Sequence, residues 1–181
     1  MNIKDTARLT FRFLGREDAA LFLDLDSDPE VMRYINGGKP TTPEAFEEIA
    51  LPRLYAYRDA QKGWGMFGVF LKESEAFLGW ILVRPMDFFS DSPQWDNVEL
   101  GWRFKQDTWG KGYATEAAKA VMLAVAQQTG VSTFCAIADK DNAGSTNVMK
   151  KLGMRYVDTR LHKDPLGDSE VVYYHLELTQ R

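Results

Sequence analysis

Between Asp107 and Ala118 the chain reads DTWGKGYATEAA, two glycines around a lysine at the threshold of a strong helix-forming run. Glycine weakens helices, so a pair of them here needs a reason. A helix N-terminus presents unpaired N–H groups and a partial positive charge. A turn lacking Cβ atoms lets a ligand approach the backbone, and Lys111 adds a point charge beside it. The combination suits phosphate, with main-chain amides from about Gly110 to Thr115 cradling a pyrophosphate. The alternative is a tight strand-to-helix connection in which glycine only relieves strain and Lys111 is solvated. Two other phosphate motifs fail. A Walker loop needs Ser or Thr after its lysine, and Lys111 is followed by Gly112. The dinucleotide fingerprint occurs literally as GWGMFG, Gly63 to Gly68, but it leads into a strand, so no helix dipole faces a ligand. It reads as a decoy, and it is the only support for a nucleotide-binding oxidoreductase.

Other reactive side chains are sparse. Cys135 is the single cysteine, which excludes an intrachain disulfide and a thiolate metal cluster. Set in the apolar stretch STFCAIA, it reads as a small core residue rather than a nucleophile. Tyr174, Leu176 and Leu178 keep strand period, so Tyr173 and Tyr174 read as core. His162, beside a Lys-Asp-Pro-Leu-Gly turn, has no assigned role, and neither it nor His175 has a partner visible in sequence. The loop MDFFSDSPQWDN sets Asp87, Asp91 and Asp96 among aromatic residues. It is either an acidic rim that attracts a cation or a set of solvated turn residues, the second being preferred.

The elements that must position these residues follow from period and punctuation. Leu9, Phe11 and Phe13 alternate with polar residues as a half-buried strand. A short helix carries Leu21, Phe22 and Leu25, and Thr41-Thr42-Pro43-Glu44 starts another that Pro52 should break or kink. Residues 66–72 and 76–83 form a hairpin, 87–97 a polar and aromatic loop, and 98–105 a strand. A helix from about Gly112 to Gln128 is apolar on all but a stripe of Glu116, Lys119 and Gln127, so it should pack broadly on the sheet. A strand at 132–138, a helix at 143–152 and two closing strands around 154–160 and 170–178 complete the order β-α-α-β-β-β-α-β-α-β-β. With 181 residues, no repeat and no linker, residues 1–181 read as one domain of α/β (α+β) class. Hydrophobic residues are 45% and charged residues 27%, the balance of an ordinary globular protein. The net charge of −4 argues against nucleic acid, which needs a basic face. The longest apolar run, Ala120 to Ala126, is too short for a bilayer, and the start MNIKDTARL has no signal-peptide core. No membrane association and a cytoplasmic location are expected.

QDTWGKGYATEA resembles motif A of the GNAT superfamily of acyl-CoA-dependent N-acyltransferases. The resemblance runs along nearly the whole chain, with ARLTFR similar to the family's first strand, DSDPEVMRYI to its early helical segment and VELGWRF to its fourth strand. DNAGSTNVMKKLGM resembles a stretch from the branch that acetylates ribosomal-protein N-termini and assorted small amines, and Trp109 before Gly-Lys-Gly is typical of that branch. Asp107 stands where the family prefers Gln or Arg, a side-chain contact that a backbone cradle does not need.

The resemblance implies a mixed, mostly antiparallel sheet of six to seven strands with helices on both faces. It implies acetyl-CoA as cosubstrate, no metal, an amine acceptor, and a monomer or homodimer. The backbone of Trp102, Arg103 and Phe104 would pair with the pantetheine arm, and Trp109, Gly110, Lys111, Gly112, Tyr113, Ala114 and Thr115 would form the pyrophosphate turn. The amine would attack the thioester directly. Glu99, on the face of the fourth strand shared with Gly101 and Arg103, is then the candidate base, or else a structural partner of Arg103. Many relatives carry a tyrosine acid where Met149 stands, which leaves Ser145 as the candidate acid, or else a first-turn helix residue. Asp141 or Asn142 caps that helix, and Asn142 is either this cap or a cofactor contact. A degenerate relative that binds acyl-CoA as a sensor or docking module is the rival within the same fold.

Overall fold

The computed structural model describes residues 1–179. Strands β1 (Leu9–Phe13), β2 (Gly65–Leu71), β3 (Phe77–Met86), β4 (Gln94–Phe104), β5 (Thr133–Ala138), β6 (Arg155–His162) and β7 (Ser169–Glu177) form one sheet in spatial order β1-β2-β3-β4-β5-β7-β6. Helices α1 (Ala19–Asp26), α2 (Pro29–Asn36), α3 (Pro43–Ala45), α4 (Leu51–Tyr57), α5 (Tyr113–Thr129) and α6 (Ala143–Lys151) cover its two faces. The fold is therefore the mixed seven-stranded sheet that the sequence implies.

Neighbouring strands run antiparallel except β4 and β5. A parallel pair needs a crossover, and α5 supplies it. One face of the sheet packs Ile81, Leu100 and Phe134 against Ala117, Val121 and Val125 of α5 and Met149 of α6. The other packs Trp80 and Leu82 against Phe22, Leu54 and Tyr57 of the N-terminal helices. The burial of α5 is narrower than its apolar sequence suggests. Ala117, Ala118, Val121, Met122 and Val125 form the buried stripe, while Leu123 stays 46% exposed beyond it.

Two expectations about elements are corrected. Pro52 does not end its helix. Thr42 caps α3, its hydroxyl accepting from the Ala45 N–H at 3.1 Å, and the chain runs through a π-helical stretch, Phe46–Ala50, into α4. That change of register directly upstream puts Pro52 in a first turn, where a missing N–H costs little. The second correction is the start of β4, at Gln94 rather than Val98. A bulge between Pro85 and Met86 carries the hairpin on, so Met86 pairs with Gln94 and part of the polar loop joins the ladder.

Candidate active site

The ladder between β4 and β5 has three rungs: Asn97 with Thr133, Val98 with Phe134, and Glu99 with Cys135. Beyond Glu99 the strands part. β5 goes on pairing with β7, while residues 100–104 of β4 keep β3 on one side and have no strand on the other. The result is a wedge whose wall is the Trp102–Phe104 backbone.

At the end of that wall lies the glycine turn. Gly110 and Gly112 have φ of +73° and +80°, left-handed values that strain any residue with a Cβ. A Cβ on Gly110 would meet nothing within 4 Å, and one on Gly112 only an Arg8 nitrogen at 3.5 Å, so the backbone faces open space. Helix α5 starts directly after Gly112, which caps it without a side chain. Among the described residues the N–H groups of Gly110 to Thr115 have no acceptor in the protein, and the first α5 amide to be paired is that of Glu116, with the Gly112 carbonyl. The first N–H groups of any helix lack an intrahelical acceptor, so these donors are open to water or to a ligand.

The side chains around the turn are committed elsewhere. Trp109 donates its indole N–H to the Phe104 carbonyl at 2.9 Å, pinning the turn to β4 while its ring is 47% exposed. Lys111 folds back onto the Asp107 carbonyl at 2.9 Å. Arg8, which the sequence reading passed over, lies across the turn. It donates to the Lys111 carbonyl, stacks 4.3 Å over the Tyr113 ring and pairs with Glu116, which also accepts from the Thr6 hydroxyl. Those donors outweigh the burial that would raise the Glu116 carboxyl, and hold it below the usual carboxylate range. A contact spanning more than a hundred residues leaves no local sequence signal.

Glu99 is buried, and its partner is not the expected one. Its carboxylate accepts from Nε of Arg84 at 2.7 Å, the residue directly across on β3. Arg103 instead donates to Asp26 at the end of α1, at 2.7 Å. Two residues along one strand face stand farther apart than directly opposed cross-strand neighbours, so the direct pair wins. Burial alone would pull the Arg84 pKa down, yet Glu99 reverses this and raises it. Tyr57 of α4 stands by the pair, its phenol pushed well up by burial first and by the charge of Glu99 in part. Arg53, also from α4, stacks 3.8 Å over Phe89 and binds Asp164 in the β6–β7 connection at 2.7 Å, closing a rim around this side of Glu99.

On the opposite side of the wedge, α6 presents Ser145. Asn142 caps the helix, its side chain accepting from the Ser145 N–H at 3.1 Å. The Ser145 hydroxyl receives the indole N–H of Trp102 at 3.1 Å. Met149 is fully buried core.

These features lie along one track, from the Glu99 face through the wedge to the head of α5. The model of the acetyltransferase (GNAT) domain matches residues 8–155. The chain belongs to the GNAT acetyltransferase family. The FsC-acetyl coenzyme A-N(2)-transacetylase of Aspergillus fumigatus is 29% identical over 160 residues, 87% of this chain and 67% of the fungal protein. A GNAT-family acetyltransferase from Bacillus anthracis superposes with a TM-score of 0.74 at 27% identity, covering 98% of both chains. RimL, a ribosomal alpha-N-protein acetyltransferase in complex with coenzyme A, also gives 0.74, at 13% identity over 98% of both, which is a likeness of fold alone. As a GNAT acetyltransferase the protein is an acetyl-CoA-dependent N-acetyltransferase, and the unpaired amides, open glycines and parted strands fit that cosubstrate.

The remaining sequence readings fall into place around the GNAT track. Cys135 is fully buried and its thiol is pushed well up, by burial above all, which removes it as a nucleophile. Tyr173 and Tyr174 are buried, and GWGMFG opens β2 rather than a helix. Asp87 accepts from Gln94 at 2.7 Å and approaches His162 at 3.7 Å, while Asp91 and Asp96 are exposed. Among the described residues no group of three His, Cys, Asp or Glu side chains could hold a metal ion, and no helix is long and apolar enough to cross a membrane. A surface cavity of about 560 Å³ lies at the far end of α5 against Trp64, Trp95, Asp96 and Thr129, and neither the glycine turn nor Glu99, Arg84, Trp102 or Ser145 lines it. The unpaired donors lie instead at the head of α5, and the Glu99–Arg84 pair on β4 and β3. A hollow of about 260 Å³ flanks the turn at Lys105, Asp107, Lys111 and Tyr113.

Proposed function

We propose that the protein moves an acetyl group from acetyl-CoA to a primary amine by direct attack in a ternary complex, the acceptor being a protein N-terminus or a small-molecule amine. The observation that carries this reading is the row of uncommitted amides from Gly110 to Thr115 at the end of the parted β4 edge. Those amides would take the pyrophosphate, the Trp102–Phe104 backbone would take the pantetheine arm, and Asn142 would stand near the cofactor while capping α6. The amine lone pair attacks the thioester carbonyl, the N–C bond forms and the C–S bond breaks.

Attack needs a neutral amine. Deprotonating a lysine-like amine of pKa about 10.4 costs roughly 4.6 kcal/mol at pH 7, against about 1 kcal/mol for an α-amine of pKa about 7.7–8.0. Glu99 is assigned as the base, through water because Arg84 already occupies its carboxylate. Ser145 is assigned as the proton donor to the departing thiolate. The narrower reading, membership of the branch that acetylates ribosomal-protein N-termini, rests on Trp109, Asn142 and Ser145 in their sequence setting.

The test is release of CoA thiol from acetyl-CoA with a seryl-initiated peptide, spermidine, an aminoglycoside and an amino-acid amide. Turnover on one or more of these supports the assignment. CoA binding without turnover on any would make the chain an acyl-CoA sensor.

A further inference from the structure

Trp102 projects from the unpaired stretch of β4 and reaches α6, so its hydrogen bond to Ser145 links the two sides of the wedge. Indole nitrogen is a donor only, so the serine oxygen must be the acceptor. Ser145 is thereby fixed at two atoms, its N–H by Asn142 and its oxygen by Trp102. A hydroxyl in the first turn of a helix commonly donates back to a nearby carbonyl, as Thr146 does to Ala143 at 3.3 Å. Among the described residues the Ser145 hydroxyl donates to none. Its proton is the free valence of an otherwise anchored group, and it lies at the wedge.

We infer that Trp102 is a positioning residue for proton delivery to the leaving thiolate, acting through Ser145. This rests on the reading of Ser145 as the acid. The indole N–H aims the serine proton away from the protein, and it stabilises negative charge developing on the serine oxygen. As the C–S bond breaks, sulfur keeps the bonding pair and takes the Ser145 proton. The serine oxygen is restored by a proton originating on the attacking nitrogen, passed through water. One proton leaves nitrogen and one arrives on sulfur, so no further reactant is needed.

The experiment is a double-mutant cycle of Trp102→Phe and Ser145→Ala, with turnover measured on the fastest amine of the panel above and acetyl-CoA varied. Trp102→Phe should lower kcat about tenfold and leave KM for acetyl-CoA within about twofold, the loss of one hydrogen bond felt in the transition state. In the Ser145→Ala background it should cost nothing more. Site-specific benzothienylalanine at 102 keeps the ring shape without the N–H and should reproduce the loss if the phenylalanine variant folds poorly. An undiminished kcat for both 102 variants overturns the inference while leaving Ser145 as acid, and so does an equal loss with and without the serine hydroxyl. If Ser145→Ala is itself without effect, or no amine turns over, the acid reading fails and this inference with it.

Discussion

Arg84 governs what Glu99 can do. Glu99 is buried and Arg84 is largely covered, and a buried carboxylate without its guanidinium is strongly destabilising, whereas losing both partners together is far less so. Arg84→Met should therefore cost about 3–5 kcal/mol in denaturant unfolding, and the Arg84→Met/Glu99→Met double variant should recover much of it. Glu99→Gln keeps the size and one acceptor, so it addresses chemistry instead. Its deficit in rate should be greatest at low pH, where the acceptor amine is mostly protonated, and a deficit that is flat across the pH–rate profile would assign Glu99 a structural role. Glu99 became visible through the resemblance and its place on a face of the fourth strand, but neither could name the partner. Arg84 lay just past the expected end of its strand, and Arg103 shared the face of Glu99 only in one dimension.

At the scale of elements, the glycine turn and the α6 cap are set by local chemistry and were legible for that reason. Gly112→Asp should weaken CoA binding by tenfold or more, since it puts a charged side chain on a left-handed residue facing the anion, and calorimetric titration reads the change. Asn142→Ala should cost about 1 kcal/mol of stability through the lost cap. Strand and helix periods gave most elements to within a few residues. Pro52 and the start of β4 were misread because a π-register and a bulge are adjustments of the ladder itself, and neither leaves a periodic trace. The bond from Trp102 to Ser145 joins two elements whose existence was read from sequence, yet only the packing of α6 against the parted strand brings them together.

For the whole molecule, the response to acid is carried by carboxylates held below their usual range, two of which, Glu116 and Asp164, tie distant segments. Burial alone would raise Asp18, Glu116 and Asp164, but donors from Arg12 and Gly15, from Thr6 and Arg8, and from Leu166 and Arg53 outweigh it. A lowered folded value means stability that is present above the unfolded values near about 4 and is lost as pH falls through the folded ones. The melting temperature should thus drop on acidification below about pH 4, and Asp18→Asn should flatten that drop. Tyr173, pushed up to about 12 chiefly by burial, works in the opposite sense, its contribution being lost as pH rises beyond about 10. Strand order and the parting of β4 from β5 were not readable from residues, because they depend on which edges meet. The resemblance supplied the mixed, mostly antiparallel sheet where periodicity had no voice, but not the order of its strands. The most direct test of the pyrophosphate cradle is amide NMR of the ¹⁵N-labelled protein titrated with CoA. The account predicts that the N–H resonances of Gly110 to Thr115 move downfield as a group, each gaining an anionic acceptor. Saturating CoA that shifts resonances elsewhere and leaves those unmoved would contradict it.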